Sequence, residues 1–358
     1  MSTHSEDGPP GRDPAWSGVD GGGTISDVAA AAGVSVRTVS RVLNRSPKVN
    51  AETRRQVQEV IDRFGFSPSL RARALAVGRS SLIGMVHDDP NALVLDTVQR
   101  GIVDECVRRG YELVVHPAVH RGVDPVEEIV RFVKRSRVDG LIVLPPVSEM
   151  PAIPKALMPH RVPIVGLASV RIPSYPAMLV ANERGGAEAI ARHLVALGHR
   201  KIALITGPRA FHSAIEREQG FRSALRRAEI ALPPAYVAEG DYSFESGVAA
   251  CEALMSRPDR PTAIFASNDI MAAGVLKAAT RLGLSVPDQL SVAGFDGSVI
   301  ARMVSPALTT VHRPLRGMAQ DATALLIDMI EDPGLLWTSD LTAEMTLEIG
   351  ESTAPPPP

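Results

Sequence analysis

The sequence predicts a small all-α domain followed by an α/β body, the body built from two doubly wound parallel sheets with a cleft between them. Three observations carry this. Between residues 24 and 66 apolar residues recur at helical spacings in short blocks. From 81 onward, short runs rich in Val, Ile, Leu and Ala alternate with amphipathic stretches, the pattern of strand–helix–strand units. That second region spans about 260 residues, too many for one such sheet, so two are expected.

Composition agrees. The 358 residues are 45% hydrophobic but only 4% aromatic, so aliphatic side chains must do most of the packing, which suits strands buried on both faces. Cys106 and Cys251 lie far apart, with no CxxC or metal-ligand spacing, and read as core thiols of a protein kept in a reducing cytoplasm. Residues 1–23 are rich in Gly, Pro, Ser and Asp and hold no apolar stretch. They read as a disordered tail rather than a signal peptide, and 351–358, "ESTAPPPP", reads as a second tail. No run of about 18 apolar residues occurs, so no membrane span is expected.

The elements of the small domain (24–67) follow in order. Ser26 caps a first helix ending at Ala31, with Asp27 near its positive end. Gly33 permits a sharp turn. Ser35 caps a second helix, Val36 to Leu43, with Val39, Val42 and Leu43 inward and Arg37, Thr38, Ser40, Arg41 and Asn44 outward. Asn50 caps a third, which buries Val57, Val60, Ile61 and Phe64. Three short helices with a tight turn between the first two form a helix-turn-helix. Arginines suit guanine edges in a major groove, and hydroxyls at a helix start suit phosphate oxygens. Residues 24–79 hold ten basic side chains against four acidic ones, a net of +6 in a chain whose total is −2, so the remainder carries −8. A basic head on an acidic body localises attraction for DNA. The competing reading is a helical protein-docking domain with a solvated charged face.

Residues 68–80 form a basic linker opened by Pro68 and closed by Gly78. In the body (81–350), strands are expected at "SLIGMVH", "YELVVHP", "GLIVLPP", "PIVGLAS", "AMLVAN", "KIALITGP", "YVAEG", "AIFASND", "LSVAGFD" and "LTTVHRP". Helices are expected over 92–109, 184–197, 213–228, 244–256, 270–282 and 315–331.

The stretch "DVAAAAGVSVRTVSRVLN" resembles the lactose-repressor (LacI/GalR) family of bacterial transcription regulators. "FGFSPSLRARALAVGRSSLIG", "NERGGAEAIARHLVALGHRKIALITG", "EREQGFRSAL", "FASNDIMAAGVLKAATRLGLSVPDQLSVAGFD" and "PALTTVHRP" follow in that family's order, across about residues 24–350. The resemblance implies that Val36, Arg37 and Arg41 read base edges, and that Ser35, Thr38, Ser40 and Asn44 lie near phosphates. It implies a hinge helix whose Leu75, with Ala72 one turn before it, wedges into the minor groove of a near-palindromic operator beside a second copy, hence a homodimer. It also implies a periplasmic-binding-protein-like body: one subdomain of about 81–180 plus 313–340, the other of 181–312 plus the C-terminal strand.

Ligands of such sheets sit beyond the carboxyl ends of strands. By resemblance Arg217, Asn268 and Asp296 match effector-contacting positions. Tyr242 matches an aromatic that stacks on a sugar face. Asp89, with Asp88 and Asn91, is a candidate on the opposite wall. Arginine, amide and carboxylate together suit a carbohydrate. A nucleobase or phosphorylated metabolite is the alternative effector. In this reading Asp269 caps the helix at 270 and stays outside the pocket. Two positions depart from the family pattern: Ala181 replaces a common Asp, and Arg313 replaces a usual Gln, as a charge sensor or a surface substitution.

Other classes fit less well. The chain has no G-x-G-x-x-G after its first strand, no P-loop, no G-x-S-x-G and no H-E-x-x-H, so no catalytic residue, cofactor or metal is assigned. His193 and His199 lack a carboxylate partner at useful spacing, and His199 reads as a turn residue. A solute-binding protein would share the body without the basic head.

Overall fold

The computed structural model describes residues 24–43, 46, 48–66, 79–88, 91–118, 124–334 and 340–358. The expected tail at 1–23, Asn44, the hinge with Ala72 and Leu75, and Asp89 lie outside them. Two units are distinct, one reaching to Arg79 and the other from Ser80.

The first unit holds α1 (Ile25–Ala31), α2 (Val36–Leu43) and α3 (Ala51–Phe64). Val28, Ala29, Val39, Val42, Val57 and Ile61 meet in its core. The cap of α1 corrects the sequence reading: it is Thr24, not Ser26. Thr24 Oγ1 accepts from the Asp27 amide at 3.3 Å, and Asp27 Oδ2 accepts from the Thr24 amide at 2.7 Å. This reciprocal box needs an acid three residues after the cap, which Ser26 lacks. Ser35 and Asn50 do cap, accepting from the amides of Thr38 (3.1 Å) and Thr53 (2.7 Å). Phe64 is not core. It is 37% exposed, beside the Arg63 guanidinium.

The second unit contains two parallel sheets. The first has the order β11-β5-β4-β3-β1-β2, where β1 is Leu82–His87, β2 Glu112–Pro117, β3 Gly140–Val143, β4 Ile164–Ala168, β5 Ala177–Ala181 and β11 Asp340–Ala343. Adjacent residues feed opposite layers. Ile83, Met85 and Ile142 pack under α4 (Ala92–Arg109) and α12 (Leu315–Glu331), while Val86, Leu141 and Val143 pack under α5 (Pro125–Ser136) and α6 (Ala152–Leu157).

The second sheet runs β7-β6-β8-β9, with β6 Ile202–Thr206, β7 Val237–Glu239, β8 Ala263–Ala266 and β9 Ser291–Ala293. α7 (Glu183–Ala196) and α8 (His212–Arg227) cover one face; α9 (Phe244–Met255) and α10 (Asp269–Arg281) cover the other. A short α11 (Val299–Met303) follows β9, and β10 (Thr310–His312) pairs antiparallel with β12 (Thr346–Glu348). The chain passes between the subdomains three times: after β5, between β10 and α12, and between β11 and β12. All ten strands read from the sequence are present.

Two expectations are corrected here. Residues 351–354 are not a free tail. Val292 donates its amide to the Ser352 carbonyl (2.8 Å), and Thr309 donates its amide to Ser352 Oγ (2.8 Å). His199 is not a turn residue. It is fully buried, with Nδ1 2.9 Å from Thr262 Oγ1 and Nε2 2.8 Å from the Ala354 carbonyl. That oxygen only accepts, so Nε2 carries the proton, and burial keeps the ring neutral. Both cysteines are buried and their thiols are pushed up to about 12 by burial, which leaves them unreactive core groups. No described helix is long and apolar enough to cross a membrane.

Candidate functional site

Two sites emerge, one in each unit. On α2, burial of Val39 and Val42 turns the opposite face outward. Arg37 is exposed, Val36 is 43% exposed, and Thr38, Ser40 and Arg41 are half-buried around them. Ser35 remains exposed while capping α2, its hydroxyl 2.9 Å from that of Thr38. The face therefore presents two guanidiniums, hydroxyls and one valine at a helix start, a combination able to meet base edges and phosphates together.

In the body, a cavity of about 60 Å³ lies between the two subdomains. Arg217, Tyr242, Asn268 and Asp296 all line it, as the sequence reading expects, together with Asn91 from the facing wall. Asn268 lies two residues beyond β8 and caps α10 through Oδ1, which accepts from the Met271 amide at 2.8 Å. Its Nδ2 donates to the Tyr242 carbonyl (3.1 Å). Among the described residues these two bonds use one amide hydrogen and one lone pair, leaving one of each. Tyr242 and Asp296 both have positive φ, 69° and 118°. Such backbone costs about 1–3 kcal/mol per residue and is held only where its surroundings enforce it. The Tyr242 ring meets Phe211 edge-on at 5.7 Å, and its hydroxyl lies 3.3 Å from Ser213 Oγ.

The electrostatic centre is one that sequence reading missed. Arg217 does not pair with its helix neighbours: Glu216 binds Arg184, and Glu218 binds Arg222. Instead its Nε donates to Glu183 Oε2 at 2.7 Å, Nη2 lies 3.5 Å from Asp296 Oδ1, Nη1 donates to the Ser267 carbonyl, and the guanidinium sits 4.0 Å over the Phe295 ring. Arg313 closes the figure, 3.0 Å from Glu183 Oε1 and 3.3 Å from Asp296 Oδ1. Each arginine touches both acids. Arg313 is therefore no surface substitution, being 12% exposed at the crossover into α12.

The two acids respond differently to this setting. Burial opposes the charge of Glu183, but Arg217 and Arg313 overcome it and hold the carboxyl below its ordinary range. Burial dominates at Asp296 and raises it, against the same two cations. Asp269 lies just behind, as the first residue of α10 rather than its cap. It accepts from Thr310 Oγ1 (2.6 Å) and the Ser298 amide (2.7 Å) and is pushed up to about 7 by burial and by Asp296. At the cleft's rim, Glu149 of one subdomain accepts from the His212 amide of the other at 3.3 Å.

Neither Glu183 nor Glu149 stands out locally in the sequence. Only the departure at Arg313 pointed towards the ion network, since a cation brought to a crossover needs an acid nearby. Among the described residues, no group of three His, Cys, Asp or Glu side chains could hold a metal ion.

The model of bacterial regulatory proteins of the lacI family matches residues 24–69, and that of periplasmic binding protein-like domains matches 191–353. The transcriptional repressor PurR of Photorhabdus laumondii is 34% identical over 310 residues, 86% of this chain and 90% of its own. PurR of Escherichia coli O139:H28 is 34% identical over 313 residues with the same shares. The Lac repressor dimer bound to operator and the anti-inducer ONPF is similar with TM-score 0.77 at 30% identity, over 92% of this chain and 99% of that one. The regulator CelR in complex with cellobiose is similar with TM-score 0.69 at 29% identity and the same coverage.

Proposed function

The chain belongs to the LacI family of bacterial regulatory proteins and is a DNA-binding transcriptional repressor, and we propose that its operator affinity answers to a small hydroxylated ring, a sugar or glycoside, bound in the body's cleft. The observation that carries the ligand class is the convergence of Arg217, Asn268 and Asp296 beside the Tyr242 ring. Together they offer directed donors, acceptors and an aromatic edge, the set that reads hydroxyl orientation. A regulator from Enterococcus faecium with bound ribose and the CelR–cellobiose complex share this fold. The cavity of about 60 Å³ has room for only a few waters. A sugar ring therefore requires the subdomains to part and reclose around it, which gives ligand and DNA a conformational change to share.

On the DNA side, α2 reads a half-site through Arg37 and Arg41, with Val36 against a base edge and Ser35, Thr38, Ser40 and Asn44 near phosphates. Leu75, with Ala72, enters the minor groove at the centre of a near-palindromic operator. The working form is a homodimer in the cytoplasm. α4 leaves Val103 and Val107, one turn apart, 43% and 72% exposed, a face a second copy would cover. The similar Lac repressor is a dimer on its operator.

The test is retardation of operator fragments, selected by the purified protein from random sequence, with sugars, sugar phosphates and purines added singly. A shift in affinity with sugars supports the proposal. A shift with purines alone overturns the ligand class, and no retained fragment at low salt overturns the DNA reading.

A further inference from the structure

We infer that the cleft is charge-closed and selects an uncharged ligand over an anionic one, and that Glu183 is the residue that sets this selection. The inference rests on the reading of the cleft as the effector site and goes beyond it to ligand charge.

Four charged side chains meet at the cleft, Arg217 and Arg313 against Glu183 and Asp296, with every cation within 3.5 Å of both anions. Arg217, Arg313 and Asp296 line the cavity; Glu183 does not, and its side chain is 0% exposed. A ligand thus sees two guanidiniums and one carboxylate, an arrangement that looks fit for a phosphate. The fourth charge, hidden behind them, cancels that excess. It is placed for the purpose at the first turn of α7, where a helix N-terminus favours a carboxylate. An anion entering this balanced, narrow site would surrender most of its hydration with no net charge to replace it.

Hydroxyls meet no such cost. Arg313 Nε is buried and bonded to nothing among the described residues, so a donor stands ready for a ligand oxygen. Arg313 and Glu183 also come from two different chain crossovers, following β10 and β5, so the pair sets the charge at the hinge of the cleft.

The test uses inorganic phosphate as a charge probe, in thermal melts of the full chain at constant ionic strength. Glu183→Gln leaves one uncompensated cation. It should gain a saturable rise in melting temperature with phosphate, roughly 3 °C or more at ten times the dissociation constant. Wild type and the doubly neutral Glu183→Gln/Arg313→Gln should show none. Asp296→Asn also leaves one excess cation and should behave like Glu183→Gln, which keeps the test decisive if the latter does not fold. Saturable phosphate uptake by wild type, or no gain in either single variant, overturns the inference. A parallel operator-retardation series with glucose and ribose against their phosphates separates the two readings. If no sugar acts but the phosphate pattern holds, the ligand class fails and the charge rule stands. If sugars and their phosphates act alike, the charge rule fails alone.

Discussion

Gly220→Ala tests whether the packing of α8 on α7 is what holds Arg217 in place. Two effects oppose each other. Replacing glycine by alanine inside a helix favours the helix by about 0.8–1 kcal/mol. Yet a Cβ at Gly220 would lie 2.2 Å from the Arg184 carbonyl oxygen and 3.0 Å from that residue's carbonyl carbon. The obstacle is backbone, so no rotamer change relieves it and the helices must part by about 1 Å. Such overpacking costs about 1–3 kcal/mol, with backbone obstacles at the upper end. The clash wins, for a net loss of about 1–2 kcal/mol, or roughly 2–6 °C in the melting of the body by calorimetry. Arg184 adjoins Glu183, so parting the helices also lengthens the Arg217–Glu183 bond, and ligand affinity should fall with stability. Gly317 supplies the control: it is exposed in α12 and a Cβ there meets nothing within 4 Å. Gly317→Ala should stabilise by about 0.4–1 kcal/mol. If Gly220→Ala melts at or above wild type, the close approach of the two helices is not what positions Arg217.

Arg37→Ala should relax base preference at one operator position by about 1–3 kcal/mol, measured by binding-site selection; an unchanged profile removes Arg37 from base reading. Asp296→Ala should retain operator binding and lose the effector response, and a wild-type effector titration would contradict the pocket. Asp269, moved from an ordinary 3.8 to about 7, holds its proton more tightly in the fold than in the unfolded chain. Its contribution is therefore full below about pH 4 and fades as pH rises through about 7, by up to about 1.4 kcal/mol per pH unit. Between about pH 5 and 8, wild type should lose more melting temperature than Asp269→Asn; parallel pH profiles would show that Asp269 titrates normally.

What was legible in the sequence was what neighbours along the chain decide. Val39 and Val42 at helical spacing, the caps Ser35 and Asn50, and strands as apolar as "KIALITGP" each specify a local element whatever surrounds them. The order of those elements, with its family likeness, was enough to bring Arg217, Asn268 and Asp296 to one cleft. Tertiary structure alone decided which charges meet. Glu183 and Arg313 are 130 positions apart in a chain that has left and re-entered one subdomain between them, and their contact exists because two crossovers run side by side. The same holds for His199 on Ala354 and for Glu149 on His212. A single buried acid reads in sequence like any surface glutamate, because what keeps it charged is supplied by side chains that only the fold brings within 3 Å.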